Sequence, residues 1–260
     1  MFAFLYFSQM TSQDALKLSN AFFKTIGYLF LFILFGLFLD SKYFTQNVID
    51  TQWLADISMF IGFAVVYFKA TQKMRQLMVH AVIIGIIGEY LFSIVLGMYT
   101  YRLGNIPHYV PPGHALVLVA TMYFCKKSIV KLHKKWLEKI FGVLIFSYGL
   151  LFLIFANDIF GFVMTLLVLF LLRNKPRERL FYYSMYIVVA FLEIVGTNYG
   201  CWFWPETAWG TIPFLKSSNP PSGISLFYFL LDLGSLWIYK QRHKIAWARM
   251  KNIRKLNAFK

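Results

Sequence analysis

The feature that most constrains this chain is a succession of apolar runs, each near the length that crosses a bilayer, separated by polar turns. They lie at roughly 22–39, 54–68, 77–98, 113–125, 139–156, 158–173, 180–196 and 223–239. A helix that crosses about 30 Å of hydrocarbon needs about 20 residues, within a range of about 17–25. Several of the runs are short for that range. The fourth, Gly113 to Cys125, is the shortest, and it is kept because the orientation of everything after it fails without it. Soluble domains carry about 25% charged residues, whereas this chain is 14% charged, 59% hydrophobic and 20% aromatic. One water-facing core could not hide that much apolar surface, but helices in lipid have no need to. The expected fold class is an all-α integral membrane protein with eight transmembrane helices. The opening residues lack the charged, apolar and small-residue sequence of a removable leader, so the first run is expected to remain in the protein.

The charge distribution orients the helices. A net charge of +15 would point to nucleic acid in a soluble protein, but here 23 of 26 Lys and Arg fall in alternate connections and the two ends, the side expected to be cytoplasmic. Only Lys42, Arg102 and Lys216 fall on the other side, together with Asp40, Asp50, Asp158 and Glu206. Both termini are therefore expected in the cytoplasm of a cell-membrane protein. The basic tail from Lys240 suits a helix lying on the anionic inner leaflet, with Trp247 near its middle. The bilayer, not nucleic acid, is the partner these charges imply. Cys125 and Cys201 are expected at opposite faces, which excludes a disulfide between them, and they form no metal or redox spacing.

The connection after the third run resembles the one after the seventh. The first carries Glu89, Gly97, Tyr99, Tyr101, Gly104, Ile106, Pro107, then Pro111, Pro112 and Gly113. The second carries Glu193, Gly200, Trp202, Trp204, Gly210, Ile212, Pro213, then Pro220, Pro221 and Gly223, about 104 residues on. This order, with basic turns at matching places on the other face, predicts an internal repeat. An offset of four helices is even, so the halves would run in parallel about an axis along the membrane normal. The expected organisation is an interfacial segment (1–21), a first four-helix repeat (22–125), a basic cytoplasmic linker (126–138), a second four-helix repeat (139–239) and a basic cytoplasmic tail (240–260).

The candidate site follows from what is expensive in a membrane. A carboxylate at membrane depth costs about 2.5 kcal/mol or more on insertion scales, so Glu89 and Glu193 must face protein or a wet cavity. They are the first acid candidates, with a structural alternative in which each holds the irregular loop of its own half. Asp232, in the eighth run, has no acidic counterpart in the fourth and is a third candidate. Tyr99 with Tyr101, and Trp202 with Trp204, place two rings on one side of an extended segment, where ring faces would stabilise a cation. Arg102, His114 and Asn198 complete the candidate substrate-binding set. Arg102 would pair with Glu89 or Glu206, bind an anionic group or stay solvated. His114, opposite Ile224 or Ser225 in the repeat, would bond a loop carbonyl. Tyr90, Tyr109 and Trp209 suit an interfacial aromatic belt.

These motifs resemble the membrane proteins of carotenoid biosynthesis, in particular the carotenoid hydratase family, and more distantly the small-subunit lycopene cyclases and membrane terpene cyclases. The resemblance rests on Glu89, Gly97, Tyr99, Tyr101, Gly104 and Pro107, and again on Glu193, Gly196, Thr197, Gly200, Trp202 and Trp204, across about 60 of the 260 residues. It departs from the family in the Trp pair of the second half and in lacking the acid-rich proline motif of the cyclases. The resemblance implies proton-initiated chemistry on an isoprenoid double bond. A protonated Glu would donate to the alkene, rings would stabilise the carbocation, and water or another alkene would capture it. Asp232 would help return the proton. The reaction would be of lyase or isomerase type and need no metal or other cofactor.

The sequence shows no metal-binding histidine box, paired-Asp magnesium motif, nucleophile elbow or nicotinamide fingerprint. A proton-coupled transporter or lipid-binding protein is the competing class, and its expected sign is Gly or Pro in mid-helix of both halves. Gly85 and Gly88 supply it in the third run, but only Gly196 does in the seventh. A structural or assembly protein is the third reading. The sequence specifies no oligomeric state.

Overall fold

The structure is a computed structural model that describes residues 11–46, 50–249 and 252. It is predominantly helical. Helix α1 (Ser12–Phe22) runs through a π-helical turn (Phe23–Gly27) into α2 (Tyr28–Leu39). A short α3 (Lys42–Thr45) precedes α4 (Gln52–Lys69) and α5 (Gln72–Glu89), and α5 continues into a second π-helical stretch, Tyr90–Val95. Strand β1 (Thr100–Tyr101) leads to α6 (Val110–Lys126), a short α7 (Ser128–Leu132), α8 (Lys134–Ala156), α9 (Ile159–Leu172) and α10 (Arg179–Tyr199). Strands β2 (Trp202–Phe203), β3 (Thr207–Ala208) and β4 (Ile212–Lys216) precede α11 (Ser225–Arg242). Each of the eight apolar runs falls largely within helix, and among the described residues four helical stretches are long and apolar enough to cross a membrane: Ser12–Thr45, Gln72–Val95, Lys134–Ala156 and Arg179–Tyr199. This marks a helical membrane protein, and the described strands form only two small ribbons.

Local chemistry sets the ends. Thr11 and Asp158 accept backbone N–H groups at the starts of α1 and α9, supplying the acceptors that a first turn lacks. Pro111 and Pro112 open α6, where no N–H is needed. Gly200, at φ 69°, closes α10 in the left-handed conformation that turns the chain back over its own helix.

Three findings differ from the sequence reading. Residues 12–21, expected as an interfacial segment, form α1, because Thr11 caps a helix that continues without interruption into the apolar run. The connections after α5 and α10 contain strands; β1, β2 and β3 are two residues each, too short for alternation to be seen in sequence, and β4 is an irregular five-residue partner of β3. The tail helix is interrupted at His243, after which 244–249 are helical, and the remainder of the basic tail, apart from residue 252, lies outside the described residues.

The interior is built around four helices. Helix α5 packs along α6 and α11, and α10 packs along α6, α8 and α2. Leu77, Met78, Leu118, Met185 and Tyr186 are fully enclosed between them. The outward faces are apolar, as at Phe155, 82% exposed, which suits hydrocarbon surroundings.

Candidate functional site

The connection after α5 and the connection after α10 pair with each other at one end of the four central helices. Strand β1 pairs antiparallel with β2, placing Tyr101 opposite Trp202 and Thr100 opposite Phe203. The register interleaves the four rings. Tyr99 lies 4.5 Å from Trp204 and Tyr101 6.2 Å from Trp202, centroid to centroid.

Beneath them, each glutamate is held by the rings of its own half. Tyr99 and Tyr101 both donate to Glu89 Oε2, at 2.7 and 2.6 Å. Trp202 and Trp204 donate their indole N–H groups to Glu193 Oε2, at 2.9 and 3.0 Å. The other oxygen of each carboxyl meets a third group from the following helix. His114 Nε2 lies 3.0 Å from Glu89 Oε1, and the Tyr228 hydroxyl donates to Glu193 Oε1 at 2.9 Å. The His114 and Tyr228 rings are themselves 4.8 Å apart, so the two carboxyls are joined through a contact between their third partners. Burial, and next the neighbouring Glu89 carboxyl, hold the Tyr99 and Tyr101 hydroxyls well above the usual phenol range, which keeps them as donors.

Both glutamates line one cavity, with about 900 Å³ of empty space counting its open side. Apolar residues of α2 and α4, among them Phe32, Leu37 and Met59, form one wall, and Phe92, Val117, Phe227 and Leu231 close the others. No lysine or arginine is among its described lining residues. Among the described residues, no cluster of three His, Cys, Asp or Glu is arranged to hold a metal ion.

The structure thus brings together Glu89, Glu193, Tyr99, Tyr101, Trp202, Trp204 and His114, and leaves out three expected members. Arg102 is neither solvated nor paired with Glu89 or Glu206. Its guanidinium reaches Asp40 at 2.6 Å and Asp50 at 2.9 Å, while Tyr109 donates to the other Asp40 oxygen at 2.7 Å. It clamps the loop after β1 to the α2–α4 connection and does not line the cavity. Asn198 is turned to the protein's exterior and donates to the Ile194 carbonyl at 2.7 Å, one turn back in α10. Asp232 is buried in α11 with Oδ2 unpartnered among the described residues; the cavity is lined by its neighbour Leu231 instead.

Two assignments change in kind. His114 bonds the Glu89 carboxyl, not a loop carbonyl, and Tyr109, expected in the interfacial belt, is buried on Asp40. Tyr228 is the member that the repeat missed, since alignment sets Ile224 or Ser225 against His114. Its signal was helical: Tyr228 lies one turn past Ile224 on the same face of α11. Searches against protein-family profiles, characterised proteins and solved structures found no match to this chain.

Proposed function

We propose that the protein is a membrane-embedded enzyme that hydrates, cyclises or isomerises an apolar isoprenoid by adding a proton to a double bond, with Glu89 and Glu193 as its acids. The observation that carries the reading is a single apolar cavity holding two carboxyls and no fixed cation, roofed by four interleaved aromatic rings. Such a site favours positive charge developing on an apolar molecule. Ring faces contribute about 2 kcal/mol or more to a desolvated cation, and the carboxyls add preorganised negative charge where it forms. A proton passes from a carboxyl to one alkene carbon. The cation at the other carbon is then quenched by water, by a second alkene, or by loss of a neighbouring proton.

In this proposal the chain crosses the membrane eight times as two parallel four-helix repeats, with both termini cytoplasmic. The exchange of partners supports it: α5 and α6 correspond to α10 and α11, and α5 against α11 corresponds to α10 against α6. The bilayer and its dissolved isoprenoids are the partners.

A second reading, proton-coupled transport, is favoured by Asp232, a buried acid of α11 without a partner for Oδ2 among the described residues. One comparison separates the two. Apolar lipid extracts of a strain lacking the gene are analysed by liquid chromatography and mass spectrometry after complementation with wild type, Glu89→Gln or Glu193→Gln. The enzyme reading expects an isoprenoid shifted by one water, or isomerised at constant mass, with wild type, and its formation lowered about 100-fold or more in either variant. Identical extracts, with all proteins folded, would remove the isoprenoid reading and leave transport.

A further inference from the structure

The two carboxyls are alike in position and unlike in the chemistry of their partners. Oε2 of each is occupied by two donors, so a proton on either carboxyl resides on Oε1. What Oε1 meets then decides whether that proton can move. At Glu193 it meets Tyr228, a weak acid and a very weak base, and the two indole N–H groups on the other oxygen can only donate. At Glu89 it meets His114 Nε2, and an imidazole nitrogen is a base that can accept a proton as well as a donor that can pass one on. Of the six groups bonded to the two carboxyls, His114 alone has this property.

From this contrast we propose that, of the two acids, Glu89 with His114 forms the proton-exchanging pair of the cavity, while Glu193, held by donors alone, takes no part in the exchange and faces the cationic centre. The division of labour rests on the proposed function for the identity of that centre; the exchange itself does not. In the forward step the Glu89 Oε1–H bond breaks, the alkene π pair forms a C–H bond, and the positive charge stays on the other alkene carbon beside Glu193. The proton later lost from the capturing water, or from a carbon next to the cation, returns to Glu89 Oε1 by way of His114 Nε2. Protons and charge balance over the cycle.

The titratable groups that line the cavity with the pair are Tyr99 and Tyr101 from the β1 segment, Tyr109 from the turn before α6, Glu193 from α10 and Tyr228 from α11. Helices α2 and α4 present only apolar residues to the cavity, with Asp56 of α4 lying beside His108 in the outer loop.

Infrared spectroscopy of purified protein in lipid nanodiscs tests this without a substrate. Glutamate labelled with ¹³C at the side-chain carboxyl separates the Glu C=O band from that of Asp232. The band of protonated Glu, shifted in D₂O and titrating with pH, is expected in wild type, Glu193→Gln and Tyr228→Phe. It is expected to vanish in Glu89→Gln, and in His114→Gln to move its midpoint by about one pH unit or more. A band lost in Glu193→Gln and retained in Glu89→Gln would overturn the proposal, as would a wild-type titration in His114→Gln. His114→Asn replaces His114→Gln if the latter does not fold, and the two glutamate variants decide the assignment by themselves. The expected spectra with unchanged lipid extracts would remove the isoprenoid reading and keep the exchanging pair. A product made normally by Glu89→Gln would take the proton-donating step away from Glu89 and keep the isoprenoid substrate.

Discussion

Each glutamate of the cavity depends on donors that also form its roof, so at the scale of single residues stability and site geometry are coupled. A typical intramolecular hydrogen bond contributes about 0.5–1.5 kcal/mol net, and Tyr99 still donates to the same Glu89 oxygen when Tyr101 does not. Tyr101→Phe, which removes the 2.6 Å bond to Glu89 and little else, is therefore expected to destabilise the protein by about that amount. Thermal unfolding in detergent measures it, and an unchanged midpoint would mean that the bond contributes nothing. The outer clamp has a pH signature. The hydrogen bond from Arg102 holds the Asp50 carboxyl below its ordinary value of 3.8. Its contribution is complete above that value and is lost as pH falls through the lower, folded-state one. Asp50→Asn should lower stability modestly at neutral pH, where the clamp is complete, and flatten the acid limb below pH 3.8, so that the two profiles converge in acid. Equal slopes in the two proteins would rule the clamp out. The glutamates and their ring pairs were legible in sequence because the same order of residues occurs twice. The partners of Arg102 were not, since Asp40 and Asp50 lie 62 and 52 residues away and only the fold brings them near.

Among the elements, the decisive contacts are those where a helix leaves no room for a side chain. A Cβ on Gly196 of α10 would lie 2.1 Å from the Trp202 ring, so Gly196→Ala must displace the indole that bonds Glu193. Overpacking of this kind costs about 1–3 kcal/mol, and tryptophan fluorescence should report the moved ring. Gly36 of α2, with open space around its Cβ position, provides the control: Gly36→Ala should leave both unfolding and fluorescence as in wild type. Equal behaviour of the two variants would refute the packing of α10 against the β2 ribbon. Helix positions were readable from run length, because a membrane enforces it. The π-helical stretch after Glu89 was not, because the apolar run continues through Tyr90–Val95 without any break in composition. Tyr228 was missed for a related reason: the repeat aligns loops residue by residue, whereas the third partner of Glu193 is set by the helical turn.

For the whole molecule, sidedness is the property on which the proposed architecture stands. In that proposal the alternation of charge would put Lys175, between α9 and α10, on the cytoplasmic side, and Lys216, at the end of β4, on the outer side. The glutamate cavity would then open toward the outer half of the bilayer, because the crossed ribbons over it belong to the outer connections. Single cysteines introduced at these positions in a Cys125→Ser background test the arrangement, since Cys201 is fully buried and should not react. A membrane-impermeant maleimide is expected to label Lys216→Cys in intact cells and Lys175→Cys only after permeabilisation. The reverse pattern would invert the molecule. Labelling of both from outside would mean that α10 does not carry the chain across the bilayer, and the count of eight would fall with it. With the expected labelling, reagents that modify histidine should reach His114 more slowly than the exposed His108 in the outer loop.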